Sequence, residues 1–163
     1  MNKRGQDVFG MSFGVIFSII LIIAIIGVAV FAINHFLGLS NCTKLGLAYK
    51  NLQDEVDEAW TSGIYRDTHE IKLPGNIDHI CFGDISVQST GTEEEIRQNI
   101  EEFYFGDGTH TVFVNPPEKA CDGDLATYKL EHVDIEGFFC FDNTDVIVNL
   151  EKGATDSLVK LSD

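Results

Sequence analysis

The sequence predicts an α+β protein: an N-terminal transmembrane helix, extended by an amphipathic stalk helix, then a small antiparallel β-sheet domain with one further helix. Three observations predict it. Val8 to Leu39 is a run of 32 residues without Asp, Glu, Lys or Arg. Cys42 to Trp60 repeats apolar side chains at helical spacing. The remainder alternates short apolar runs with Gly, Pro, Asn and Asp, interrupted by one helical stretch.

The elements follow in order. Residues 1–7 form a basic leader carrying Lys3 and Arg4. Residues 8–39 form the transmembrane helix. Between Phe13 and Ile33 the only polar side chain is Ser18, and a helix of that length spans roughly 30 Å, the hydrocarbon thickness of a bilayer. The run is too long for a secretory signal peptide and has no small-x-small cleavage site after it, which reads as an anchor. Gly10, Gly14 and Ser18 stand four apart on one face, a spacing that lets two helices approach closely in lipid.

Residues 40–62 form the stalk, either as a new helix capped by Ser40 or Asn41 or as a continuation of the first. Leu45, Tyr49, Leu52, Val56 and Ala59 make its apolar seam, Lys50 and Asp54 are placed to pair at i,i+4, and Ser62-Gly63 ends it.

Residues 63–163 form the extracytoplasmic domain. Strands are expected at Glu70–Leu73 and Ile77–Phe82 about a turn centred on Pro74-Gly75. Thr92-Glu93-Glu94-Glu95 reads as a capping box opening a helix to about Tyr104, with Ile96, Ile100 and Phe103 inward. Residues 105–110 read as a loop. Thr111–Val114 is a strand stopped by Pro116-Pro117. Asp122-Gly123-Asp124 reads as a turn. Thr127–Val133 and Phe138–Phe141 are further strands. Asp142 to Asp145 turns into a strand at Val146–Leu150, and Asp156–Leu161 is strand or short helix.

Charge restricts the partners. From Ser40 onward the chain holds 25 acids against 9 bases, a net of −16. Nucleic acid is not expected as a partner, because phosphate binding needs a basic face. Lys3 and Arg4 favour a cytoplasmic N-terminus, but Lys44 and Lys50 nearly balance them. Two features point the C-terminal domain outward: all four cysteines follow the helix, and Asn41-Cys42-Thr43 is a glycosylation acceptor at Asn41. The expected place is the cell membrane, crossed once, with the N-terminus cytoplasmic.

The cysteines form an even set, which reads as two disulfides with three pairings available. Free thiols and a zinc site are the alternatives, but no Cys-x-x-Cys pair exists to support metal. Alternation places Cys81 and Cys140 inside strands, Cys42 at the stalk base and Cys121 in a loop. The expected pairing is therefore Cys81–Cys140 with Cys42–Cys121.

No catalytic signature appears. No Gly-x-Ser-x-Gly elbow, phosphate loop or dinucleotide fingerprint is present. His69, His79, His110 and His132 are scattered, and the acidic turns lack the spacing of a calcium-binding helix-loop-helix. No enzyme activity, cofactor or metal is expected.

The leader carries a resemblance. Lys3-Arg4-Gly5-Gln6 directly before an apolar helix resembles the class III signal peptide of archaeal type IV pilin-like proteins. It is also similar to the start of uncharacterised small archaeal single-pass membrane proteins beginning Lys-Lys-Ala-Gln or Lys-Lys-Gly-Gln. The resemblance covers Lys3 to about Ile33. It implies cleavage between Gly5 and Gln6, self-association or contact with other pilin-like subunits through the N-terminal helix, and a structural role in a filament or secretion-type assembly. One position departs from it: many pilins carry Glu at the fifth mature residue, where this chain has Gly10. The alternative is a membrane-anchored extracytoplasmic module that binds a partner.

Overall fold

The structure is a computed structural model that describes residues 7–104, 108–121, 123–144 and 146–163, with side chains from Gly14 onward. The expected cleavage residues Gly5 and Gln6 lie outside the described residues. So do parts of the expected loop at 105–110 and the turns at Asp122 and Asp145.

The fold is α+β. A single helix, α1 (Asp7–Thr61), takes in both the apolar run and the stalk. The chain separates into two compact units, 1–38 and 39–163. In the first, every described side chain but Ala32 is exposed, and an 18-residue window with mean hydropathy 3.2 makes the helix long and apolar enough to cross a membrane. No break occurs at Ser40 or Asn41, since neither Pro nor a competing turn forces one.

The second unit is the head. Its core is built on the seam: Leu45, Tyr49, Leu52, Val56 and Ala59 are all buried, at most 2% exposed. Two four-stranded sheets accompany it. One runs β1 (Tyr65–Glu70), β7 (Ile147–Lys152), β8 (Val159–Ser162), β5 (Val133–Ile135). The other runs β4 (Thr127–Tyr128), β3 (Val112–Asn115), β2 (His79–Gly83), β6 (Phe138–Asp142). All pairings are antiparallel except β5 with β8, which is parallel. Alternation splits the second sheet's faces. Ile80, Phe82, Val112 and Val114 join the stalk seam in the main core, while Cys81, Phe113 and Phe138 pack with Ile96 and Ile100 of α2 (Thr92–Phe103).

Several boundaries differ from expectation. The first strand is Tyr65–Glu70, and 71–73 lies outside any strand. The turn after it centres on Gly75-Asn76, since the Ile77 amide donates to the Pro74 carbonyl at 3.1 Å. The expected strand Thr127–Val133 is two short strands, β4 and β5, separated where His132 takes a positive φ of 61°. The tail residues Val159–Ser162 are a strand.

The capping box does not form. Gly91 is the N-cap of α2 and no side chain caps it. Instead Glu94 accepts from the Ser89 amide and from Arg97. Glu95, the acid of the expected box, is exposed. Phe103, expected inward, is 44% exposed.

Candidate functional site

The described residues offer three places where chemistry could be done: the apolar half of α1, the two disulfides, and the histidine pairs of the head. On α1, Gly14 has open space where a side chain would go. Ser18 donates its hydroxyl to the Gly14 carbonyl at 2.9 Å, the ordinary way a helix satisfies a serine. Gly10 lies in the same helix. The three positions thus keep their helical spacing, and the Ser18 proton is already engaged within its own helix.

Asn41 sits in the helix, half-buried, and Thr43 donates its hydroxyl to the Leu39 carbonyl at 3.0 Å. The glycosylation acceptor is therefore helical and its hydroxyl is occupied.

Cys42 is disulfide-bonded to Cys121, with Cα atoms 5.2 Å apart across a separation of 79 residues. Cys81 is bonded to Cys140, with Cα atoms 4.0 Å apart. The second bond follows from register: β2 and β6 place Cys81 directly opposite Cys140. Such close Cα atoms belong to the non-hydrogen-bonded pairs of an antiparallel ladder. The first bond ties α1 to the loop after the 3-10 turn Pro117–Lys119, where Cys121 takes a positive φ of 57°. No thiol remains among the described residues, so no cysteine can act with a histidine as a nucleophile.

Each head histidine has a local partner. His69 lies 3.9 Å from Glu55, and His79 lies 3.1 Å from Asp142. His110 meets the Tyr104 hydroxyl. His132 is the most elaborated: its Nδ1 is 3.1 Å from Asp57 and its ring stacks on Trp60 at 3.8 Å between centroids. Gln53 donates to Asp57 at 2.9 Å and accepts from the Glu131 amide at 2.9 Å. His132 and Gln53 hold the Asp57 carboxyl below the usual carboxylate range. This constellation joins the stalk to the β4–β5 bend and was not legible beforehand, because Asp57 and Trp60 lie far from His132 in the chain. Ser18, Ser62, Ser86 and Ser89 engage their hydroxyls with carbonyls or carboxylates, and none meets a histidine.

Two further polar groups are built into the structure of the head. Tyr49 donates to the Leu125 carbonyl at 2.8 Å, and burial pushes its hydroxyl well above the ordinary tyrosine range. Arg97, 7% exposed, bonds Glu94, Glu101 and the Ile85 carbonyl. Arg97 first, then Gln98 and the Ser89 amide, pulls Glu94 down to about 2. Among the described residues no group of three His, Cys, Asp or Glu is arranged to hold a metal ion.

Comparison of this chain with protein-family models, with curated proteins and with solved structures finds no match.

Proposed function

We propose that this chain is a single-pass membrane-anchored, pilin-like structural subunit of a surface filament or secretion-type assembly, and that it is non-catalytic. The observation that carries the reading is that one helix supplies both the apolar span and the core seam of a disulfide-bonded head. A subunit that assembles through its N-terminal helix needs such continuity, because a load on the helix must reach the folded head. The leader Lys3-Arg4-Gly5-Gln6 adds a point of processing. In this reading the N-terminus is cytoplasmic, the head lies outside the cell membrane, and other subunits are met through α1 in the bilayer. The disulfides support an oxidising compartment for the head.

Gly10, standing where many pilins carry Glu, favours a second reading: an anchored extracytoplasmic module that binds a partner without assembling.

The mature N-terminus separates the two. Mass spectrometry of protein from its native membrane should show a chain beginning at Gln6, and Gly5→Leu should leave a longer precursor. Identical masses for wild type and variant, both retaining Lys3, would remove the pilin-like reading and leave the anchored module.

A further inference from the structure

The outer strands of the two sheets are β1 and β5 in one, β4 and β6 in the other. We propose that the open edge of β6 captures a basic, extended segment of a partner protein as an added antiparallel strand. The inference rests on the head alone and on neither reading of the leader.

Ladder parity is the first argument. Alternate residues of a strand turn their backbone groups toward opposite neighbours. The Gly137 carbonyl accepts from the Asp84 amide at 3.0 Å, and the Asn143 amide donates to the Asp78 carbonyl at 2.9 Å. The odd-numbered residues of β6 therefore face β2. The 4.0 Å separation of the Cys81 and Cys140 Cα atoms marks the same parity. Phe138, Cys140 and Asp142 direct their amides and carbonyls outward, and none of these groups bonds another described residue. They form a row of free donors and acceptors about 14 Å long.

The other edges supply the second argument, because each is protected. β4 has two residues and β5 has three, too short to template a partner. β1 has six, but Arg66, Asp67, His69 and Glu70 occupy it. Its outward Thr68 amide is already taken by the Asp67 carboxylate at 2.7 Å. Short length and charge are the ordinary defences of a sheet edge. β6 has neither: Phe138, Phe139, Cys140 and Phe141 precede its one charged residue, Asp142.

Side chains choose the occupant. Phe139 and Phe141 are half-buried and meet Phe82 with ring centroids 5.7 and 6.1 Å away. This aromatic row stops at β6, and β-branched side chains on an added strand extend it. On the opposite face the Asp142 side chain is 79% exposed beside His79. Glu136 stands exposed just before the strand. The head holds 25 acids against 9 bases, a charge that repels a second copy and favours a basic partner.

The probe is a capped peptide of about seven residues alternating valine and lysine, added to the full chain in detergent micelles. In antiparallel register its valines lie opposite Phe139 and Phe141. Its lysines lie opposite Phe138, Cys140 and Asp142, so the lysine amides face β6. Binding, read by fluorescence anisotropy, should slow hydrogen exchange at the amides of Phe138, Cys140 and Asp142. Backbone N-methylation of the lysines should weaken binding about tenfold or more, whereas N-methylation of the valines should leave it within about twofold. A peptide with glutamate in place of lysine should not bind. Asp142→Pro removes an outward amide and no bond to β2, and should weaken binding about tenfold. Thr68→Pro, the equivalent change on β1, should leave it unchanged. Unaltered exchange at the three amides overturns the proposal, as does equal weakening by the two methylation patterns. Protection of those amides in peptide-free protein, rising with protein concentration, would assign the edge to a second copy and overturn it too.

Discussion

A Cβ placed on Gly83 would stand 1.9 Å from the carbonyl oxygen of Gly137. The two glycines meet where β2 ends and the chain turns from β5 into β6. The Asp84 amide donates to that same Gly137 carbonyl at 3.0 Å, and both residues have positive φ, 112° and 81°. Gly83→Ala therefore collides with backbone that cannot move without breaking a hydrogen bond. It should destabilise the head by about 3 kcal/mol. Gly63→Ala, with open space around it and no positive φ, should change stability by less than about 1 kcal/mol. Chemical denaturation followed by tryptophan fluorescence compares them. Equal midpoints would show that the Gly83–Gly137 approach is not a constraint.

Tyr49 tests the seam. Its hydroxyl is the donor to the Leu125 carbonyl, and its ring stacks on Tyr128 at 4.8 Å. Tyr49→Phe keeps the stack and leaves the carbonyl unpaired, so it should cost about 1–2 kcal/mol. Tyr49→Ala also opens a cavity and should cost about 3–5 kcal/mol. If Tyr49→Phe matches wild type by denaturant titration, the hydrogen bond contributes nothing; if both variants lose the same amount, the ring packing contributes nothing beyond it.

Acid should loosen α2. Glu94 is lowered from the ordinary 4.5 to about 2. A depressed carboxyl contributes stability that is fully present above its unfolded value and is lost as pH falls toward its folded value. The window is therefore about pH 4.5 down to 2. The melting temperature should fall through that window, and Glu94→Gln should flatten the slope while lowering stability at pH 7. An unaltered slope in the variant would assign the acid sensitivity to other carboxyls.

Gly14 tests the membrane half of the proposal. Outside its own stretch of helix, nothing among the described residues lies within 4 Å of a Cβ at Gly14, so Gly14→Ile meets no other described element of the chain. Any loss of association then reports contact with another helix. Oligomers in detergent should weaken by up to about 1–2 kcal/mol. An unchanged oligomer distribution would mean that this face meets only lipid.

The Cys42–Cys121 bond tests the base of the head. It spans 79 residues, and Cys42→Ser with Cys121→Ser should lose about 2–4 kcal/mol. Limited proteolysis of the segment around Cys121 should accelerate in the variant. Unchanged cleavage would show that neighbouring contacts alone hold the loop.

What the sequence made legible was local. The seam Leu45 to Ala59 could be read because helical spacing repeats within a few residues, and every member is buried. The α+β class followed from the same periodicities. Alternation within β2 and β6 put Cys81 and Cys140 in strand interiors, and their register then sets them opposite each other. The rest depends on contacts far apart in the chain. Nothing near Val133 announces that β5 joins β8 in parallel rather than continuing β4, because the break lies in the backbone of His132. The capping box from Thr92 to Glu95 located the start of α2 but not its cap, because Gly91 takes the N-cap position. Trp60 gave no sign of its partner, since the ring it stacks on lies in another element.

The buried seam also has a consequence for biosynthesis. A ribosome makes α1 before any strand that covers it. Leu52, Val56 and Ala59 lie in one core with Val148, Leu150, Val159 and Leu161, which come from β7 and β8. β8 lies between β7 and β5, so it closes one sheet. Until it arrives, the nascent chain holds a sticky helix with no lid, and its cover requires pairings of long sequence separation, which form slowly. During that interval the seam is open to chaperones, to proteases and to the seams of neighbouring nascent copies, and translation speed across β7 and β8 sets how long the exposure lasts.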